Sequence, residues 1–141
     1  MVEVIARVAA SMVAALGLLH FYWALGGLVG KSAAIPEVHG QRAFTPSKLQ
    51  TLAVGVALLF AAMVIAAAGG SINVGGYGGV FRILAYGLGA TFLARAIGDF
   101  RLVGFSKRMW GTRFARLDTI VYSPLCLVLG LTVLYIANHG V

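Results

Sequence analysis

Charged residues are scarce in this chain of 141 residues, since lysine, arginine, aspartate and glutamate together make up only 11% of it. Soluble domains carry about 25% charged residues. The chain therefore has too little polar surface to cover a small globule in water, and its mean hydropathy of +0.94 agrees with this conclusion. The composition excludes an ordinary soluble domain and predicts an integral membrane protein.

Cysteine is nearly absent as well. The single cysteine, Cys126, lies in an apolar run and can form neither an internal disulfide nor a cysteine-based metal cluster. The three histidines, His20, His39 and His139, do not have the spacing of metal ligands. We therefore predict no metal site and no cofactor, and we interpret Cys126 as a small buried apolar residue.

Acidic residues number only four, against eleven lysines and arginines, which gives a net charge of +7. In a soluble protein such an excess would indicate nucleic-acid binding. Here most of the cations lie in two loops between apolar runs, which favours contact with anionic lipid headgroups. No aromatic stacking platform for nucleic acid is evident outside the apolar runs. The expected partners are the lipid bilayer and other membrane subunits or a second copy of the chain, but not nucleic acid.

Four long apolar runs are present, at about residues 6–29, 49–69, 80–100 and 118–138. A run of about 20 apolar residues is long enough to cross a hydrocarbon core of about 30 Å as a helix. The first run is longer than the apolar core of a signal peptide, and Glu3 is out of place in a basic leader. The runs predict an all-α fold, a single four-transmembrane-helix bundle over residues 1–141, with a short interfacial element between helices 3 and 4.

The basic residues also predict an orientation. Loops 31–48 and 101–117 fall on the same side of a four-helix bundle, and they contain eight of the eleven cations. The positive-inside rule therefore places both loops in the cytoplasm and both termini outside it. In the second loop, aromatic residues alternate with four cations that we expect to contact lipid headgroups at the interface: Lys107, Arg108, Arg113 and Arg116.

Polar side chains from three of the predicted helices converge near this basic side. The candidate cluster consists of His20, Trp23, Arg95, Asp99, Asp118, Tyr122 and Ser123. Arg95 and Asp99 are four residues apart, which would place them on one face of a helix. A charge in an apolar helix is costly and usually faces a partner, so we expect Arg95 to pair first with Asp99 and secondly with Asp118. A structural salt bridge, a simple N-cap at Asp118 and a backbone-bonded His20 remain open as alternatives to a functional site.

Several strings of residues resemble a family of small, uncharacterised bacterial integral membrane proteins. They are His20-Phe-Tyr-Trp-Ala-Leu-Gly-Gly, Arg95-Ala-Ile-Gly-Asp-Phe-Arg-Leu-Val-Gly-Phe, Thr112-Arg-Phe-Ala-Arg-Leu-Asp-Thr and Tyr122-Ser-Pro-Leu-Cys. The similarity extends over nearly the whole chain. It implies four helices and a location in the bacterial inner membrane, and it implies no activity.

Three functions are compatible with these features. The first is a helper or peripheral subunit of a larger membrane assembly, supported by the small-residue ridge Ala90, Ala94 and Gly98, which suits close helix packing. The second is a small membrane enzyme or binding protein for a lipid or isoprenoid-like substrate, with Asp99, Asp118 or His20 as acid or base and Arg95 holding an anionic group. The third, a small transporter, is less favoured because the only carboxylate of the first helix is the terminal Glu3. Whether the chain is an enzyme stays open.

Overall fold

The computed structural model describes residues 1–140 and contains four long helical runs. Each run is long and apolar enough to cross a membrane. The predicted all-α four-helix fold is confirmed. The helices are α1 (Val2–Ala24), α2 (Lys48–Ala68), α3 (Gly78–Ile97), α4 (Arg113–Leu117) and α5 (Ser123–His139), with a π-helical turn (Asp118–Tyr122) that joins α4 to α5 as one run, Arg113–His139.

Two of the predicted helices end earlier in the structure than in the sequence prediction. Helix α1 ends at Ala24 and α3 ends at Ile97, not near residues 29 and 100. In both cases a glycine with positive φ follows within two residues, Gly26 at 108° and Gly98 at 97°. Such a φ is disfavoured for residues with a side chain, so these glycines allow the chain to turn out of the helix.

The loops that connect the helices differ in their secondary structure. Loop 25–47 contains a 3₁₀ turn (Lys31–Ala34) and a two-stranded antiparallel hairpin of β1 (Glu37–Val38) and β2 (Gln41–Arg42). Helix α2 then starts with a capping box, in which the side chains of Ser47 and Gln50 accept each other's backbone N–H groups. The described residues 98–112 form no helix and no strand. The predicted interfacial element is therefore an irregular loop, and the short α4 belongs to the fourth helical run.

The helices pack as two antiparallel hairpins, α1 with α2 and α3 with α5. Each hairpin crosses at a pair of glycines. A Cβ atom added to Gly17 would lie 3.1 Å from the carbonyl oxygen of Gly55, and one added to Gly130 would lie 3.1 Å from that of Gly89. Backbones approach this closely only where the side chain is missing. The buried core lies where the hairpins meet and includes Ala6, Val13, Ile65, Val133 and Ile136.

The two hairpins also repeat a sequence pattern. Gly17 and Gly26 are each followed 72 residues later by a glycine in the same structural role, Gly89 and Gly98. The triplet Leu-Val-Gly occurs in both loops, at residues 28–30 and 102–104, and its glycine has a positive φ in each, 75° and 83°. The two hairpins thus share glycines where their helices cross, just after their first helix and in the loop that follows it.

Candidate functional site

A buried carboxylate, Asp118, connects three parts of the chain at the end of the bundle where α3 ends and α4 begins. The residue is fully buried. Its Oδ1 accepts a hydrogen bond from Arg95 Nη2 of α3 at 2.8 Å. Its Oδ2 accepts from the backbone N of Gly104 at 2.7 Å and from Lys107 Nζ at 3.1 Å, both in loop 98–112. One carboxylate thus links α3, the loop and the fourth helical run.

Lys107 is buried within this network, with only 3% of its surface exposed. Besides the carboxylate, its ammonium group donates to Gly104 O at 2.9 Å and to Thr119 Oγ1 at 2.6 Å. It also lies 4.9 Å from the ring centroid of Trp110, a cation–π distance. The prediction that Lys107 contacts lipid headgroups is therefore wrong, because all three of its donor protons have partners inside the protein. Arg108, Arg113 and Arg116 are exposed, and their headgroup contacts stay predictions.

Asp99 does not belong to this network. The i, i+4 relation with Arg95 requires a helix, and α3 has already ended at Ile97. The Oδ1 atom of Asp99 instead accepts backbone N–H groups from Arg101 at 2.9 Å, Leu102 at 2.7 Å and Val103 at 3.0 Å. The expected pairing of Arg95 with Asp99 is wrong, and its expected pairing with Asp118 is confirmed. Desolvation acts to raise the pKa of Asp99, but the amide donors outweigh it and hold the pKa below its ordinary value.

Two polar atoms of the cluster have no hydrogen-bond partner among the described residues, Arg95 Nη1 and Ser123 Oγ. The backbone N of Ser123 donates to Asp118 O within the π-helical turn, which places Ser123 one turn from the carboxylate. The cluster contains two cations and one anion. Because the Asp118 carboxylate already accepts three hydrogen bonds, it has little capacity left to take a proton from a substrate. The geometry therefore favours a structural role for the cluster.

His20 and Trp23 lie at a second location, a cavity of about 270 Å³ between α1, α2 and loop 25–47. Neither Arg95, Asp99, Asp118 nor Ser123 lines this cavity. The structure thus divides the single predicted cluster into two separate sites at the same end of the bundle.

The two rings beside the cavity are held by the backbone. Trp23 Nε1 donates to Val29 O at 2.8 Å, and His20 Nδ1 lies 2.8 Å from Leu16 O. The rings pack edge to face with their centroids 5.0 Å apart. The backbone bond that the sequence left open as an alternative for His20 is present. The Nδ1 contact leaves Nε2 as the ring nitrogen available to a ligand.

Tyr122 lies between the two sites. Its hydroxyl donates to Ala33 O in the 3₁₀ turn at 3.1 Å, and its ring packs against Phe114 of α4 with centroids 5.9 Å apart. Tyr122 therefore ties the fourth helical run to the loop that covers the cavity. This contact joins the two hairpins and gives Tyr122 a structural role.

Sequence reasoning missed several polar residues of both sites: Lys31, Gln50 and Thr51 at the cavity, and Gly104 and Thr119 at the buried carboxylate. No sequence signal singles out Lys31, which reaches the cavity through the fold of loop 25–47. Within residues 1–140, no group of three or more histidine, cysteine or acidic side chains could hold a metal ion.

The chain matches a known protein family. Residues 13–133 match a family described as "Protein of unknown function (DUF3995)". The matched range spans both hairpins, the cavity and the buried carboxylate. Comparison with curated proteins and with solved structures gives no match. Any function must therefore be argued from the geometry of the chain itself.

Proposed function

Since this chain belongs to the DUF3995 family of proteins of unknown function, we propose from its geometry that it is a non-catalytic subunit or helper protein of a larger membrane assembly. The observation that carries this proposal is the outer face of α3. In the most apolar stretch of this span only 17% is buried inside the protein, against 50% in the corresponding stretch of α2. Helix α3 is thus the span with the most surface left for a partner.

The exposed face of α3 is built from small residues. Gly87, Ala90, Thr91 and Ala94 are all exposed, at helical spacings of three and four. A Cβ atom added at Gly87 would meet nothing within 4 Å. Small residues in a membrane-spanning helix allow a second helix to approach closely, whereas lipid alone gives no reason for them. Two members of the predicted ridge, Ala90 and Ala94, are therefore free to pack against a transmembrane helix of another subunit.

Other features weigh against catalysis and transport. The buried carboxylate of Asp118 is fully engaged by Arg95, Lys107 and Gly104. The carboxylate of the first helix, Glu3, pairs with Arg7 one turn along the chain, where both side chains are exposed. It therefore does not present an embedded acidic group to a cargo, as a small proton-coupled transporter would require. These contacts favour the subunit role over both alternatives.

We expect Ala90→Leu to separate the chain from its partner subunit. The added bulk would push a helix away from the small-residue face, while the chain itself would fold normally because Ala90 contacts lipid or partner only. The measurement is the particle mass after gentle extraction from native membranes into nanodiscs, by native mass spectrometry. The expected result is a loss of the assembly and the appearance of the free chain of 14.7 kDa.

The matched control is Ala15→Leu, the same change at an exposed position of α1 that lies among large apolar residues. It should leave the assembly intact. Equal masses for wild type and Ala90→Leu would contradict the proposed face. A wild-type mass that is a multiple of 14.7 kDa would identify the partner as a second copy of the chain.

A specific observation favours a second candidate function, the binding of a lipid-like molecule. The cavity beside His20 and Trp23 has exposed residues at its rim, including Phe44 and Val54. Val54 lies on a helix that is apolar enough to cross a membrane. The rim would then face lipid, and a lipid-like molecule could enter from the bilayer.

The proposed location is the bacterial inner membrane, with both termini outside the cytoplasm. We expect a cysteine at Gly76, in the loop between α2 and α3, to react with an impermeant maleimide added to intact spheroplasts. A cysteine at Ser32, in the first basic loop, should react only after permeabilisation. Both positions are exposed, and both changes belong in a Cys126→Ala background. The reverse labelling pattern would contradict this orientation.

A further inference from the structure

The two loops at the end of the bundle each contain a lysine after the Leu-Val-Gly triplet, and both lysines interact with the backbone nearby. Lys107 Nζ donates to Gly104 O at 2.9 Å, and Lys31 Nζ donates to Trp23 O at 3.5 Å. Trp23 and Arg95 are again 72 residues apart and lie at the ends of α1 and α3. Lys31 directly follows its triplet and Lys107 comes three residues after its own, so each lysine lies in the loop that follows the first helix of its hairpin.

The two lysines differ in their counterion. Lys107 has the carboxylate of Asp118 at 3.1 Å. Asp118 precedes Gly130, the crossing glycine of α5. The residue at the same distance before Gly55, the crossing glycine of α2, is Ala43. Among residues 1–140, none of the ion pairs involves Lys31 or Glu37 of the same loop. A half-buried ammonium group therefore has a single long hydrogen bond in place of a carboxylate.

The cavity of about 270 Å³ lies at this place, with Lys31 in its wall. The polar lining of the cavity also includes His20 and Gln50. The Oε1 atom of Gln50 accepts from Ser47 N, so the amide NH₂ group of Gln50 remains available as a donor. The aromatic rings of Trp23 and Phe44 form apolar parts of the wall. The volume is close to the lower end of the roughly 300–1,000 Å³ of small-molecule sites, so it suits a headgroup with a short part of a chain.

We infer that this cavity binds the anionic headgroup of a single-chain amphiphile, whose oxygens pair with the ammonium group of Lys31. Gln50 donates to the same headgroup, and the alkyl chain passes along Trp23 and Phe44 toward the lipid. A carboxylate and a phosphate monoester share this chemistry. The inference rests on the second candidate function, lipid-like binding, and it is independent of the partner face on α3.

The test uses quenching of Trp23 fluorescence by brominated ligands in detergent micelles, in a Trp110→Phe background that leaves one tryptophan. The probes are a brominated fatty acid, a brominated lysophosphatidic acid and a brominated fatty alcohol of equal chain length. We expect saturable quenching by one or both anionic probes, displaced by unbrominated laurate. The neutral alcohol should bind at least about tenfold more weakly, because a hydrogen bond to a charged group contributes about 1.5–3 kcal/mol. The relative affinities of the two anionic probes identify the source of the headgroup.

Variants of the lysine provide the decisive comparison. Lys31→Gln should weaken binding of the anionic probe about tenfold or more and leave alcohol binding unchanged, whereas Lys31→Arg should restore it. The matched control is Lys48→Gln, an exposed cation on the same side that does not line the cavity. Because Lys31 has no carboxylate partner among residues 1–140, Lys31→Gln should also keep the thermal midpoint of the parent.

The outcomes separate the two hypotheses. Equal binding of the alcohol and the fatty acid, or unchanged binding in Lys31→Gln, would overturn the assignment of an anionic headgroup and leave lipid-like binding in place. The absence of saturable quenching by any of the three probes would overturn both. Tight binding that is lost in Lys31→Gln and recovered in Lys31→Arg would establish the inference.

Discussion

Replacing Asp118 by asparagine is expected to lower the free energy of unfolding by about 3–5 kcal/mol, since removing one partner of a buried ion pair leaves the other charge uncompensated. Two cations, Arg95 and Lys107, would lose the carboxylate that pairs with both of them, and Lys107 is almost wholly buried. A loss of this size is a large part of the roughly 5–15 kcal/mol by which small domains are stable. The measurement is the unfolding midpoint in mixed detergent and SDS micelles, followed by circular dichroism.

The matched control is Asp99→Asn. Asp99 lies in the loop that Asp118 holds, but its side chain is exposed and an asparagine oxygen can still accept the backbone N–H groups of residues 101–103. This change should therefore cost little. The double change Lys107→Met with Asp118→Asn should recover much of the lost stability, because it also removes the buried cation. If Asp118→Asn were as mild as Asp99→Asn, the structural role of the cluster would be refuted.

The four helices could be predicted from the sequence because they depend on a simple physical requirement. About 20 apolar residues in a row are needed to cross a bilayer, and no other feature of the chain competes with that signal. The residues at which the helices end were harder to predict from the sequence. Gly26 lies within an apolar run that continues to Val29, and Gly98 comes directly before Asp99, at a spacing from Arg95 that also suits a continuing helix. Only the backbone conformation shows that the helices stop there. A glycine inside such a run is compatible with either outcome.

The error in pairing Arg95 follows from that helix end. A spacing of four residues places two side chains together only if the helix continues through both of them. Since α3 ends before Asp99, the arginine finds the carboxylate of Asp118, 23 residues away in sequence. The sequence contained both acids but offered no local reason to prefer the distant one. The tertiary fold of loop 98–112 determines which carboxylate pairs with Arg95.

Lys107 shows a second limit of sequence reasoning. A lysine among aromatic residues beside a membrane helix is typical of an interfacial contact, and nothing local distinguishes it from Arg108. The loop nevertheless folds back on the end of α3, where Phe105 N donates to Ala96 O at 2.8 Å and Ser106 N donates to Ile97 O at 3.0 Å. These bonds turn Lys107 inward. The burial of Lys107 therefore depends on the tertiary fold of the loop and not on a local sequence signal.

Substituting Gly98 by alanine is expected to cost about 3 kcal/mol or more of unfolding free energy. The backbone of Gly98, with φ 97° and ψ −170°, lies in a region that is essentially restricted to glycine and costs other residues about 1–3 kcal/mol. The added Cβ would also overlap the carbonyl oxygen of Val103 and the Cα of Gly104. Loop 98–112 would have to move, and the backbone N–H of Gly104 would leave the Asp118 carboxylate. The measurements are the SDS unfolding midpoint and the hydrogen-exchange rate of the Gly104 amide.

The fold provides a matched control in the corresponding glycine of the first hairpin. Gly26 has a similar φ of 108°, but a Cβ added there would meet nothing within 4 Å. Gly26→Ala should therefore cost only the backbone strain, about 1–3 kcal/mol, and should leave the exchange of the Gly104 amide unchanged. Equal losses of unfolding free energy in the two variants would mean that backbone strain alone accounts for the loss. Loop 98–112 would then not be packed against the end of α3. A larger loss of unfolding free energy in Gly98→Ala, with faster exchange of the Gly104 amide, would show that direct contacts hold loop 98–112 against the end of α3. The first hairpin has no such contacts at Gly26.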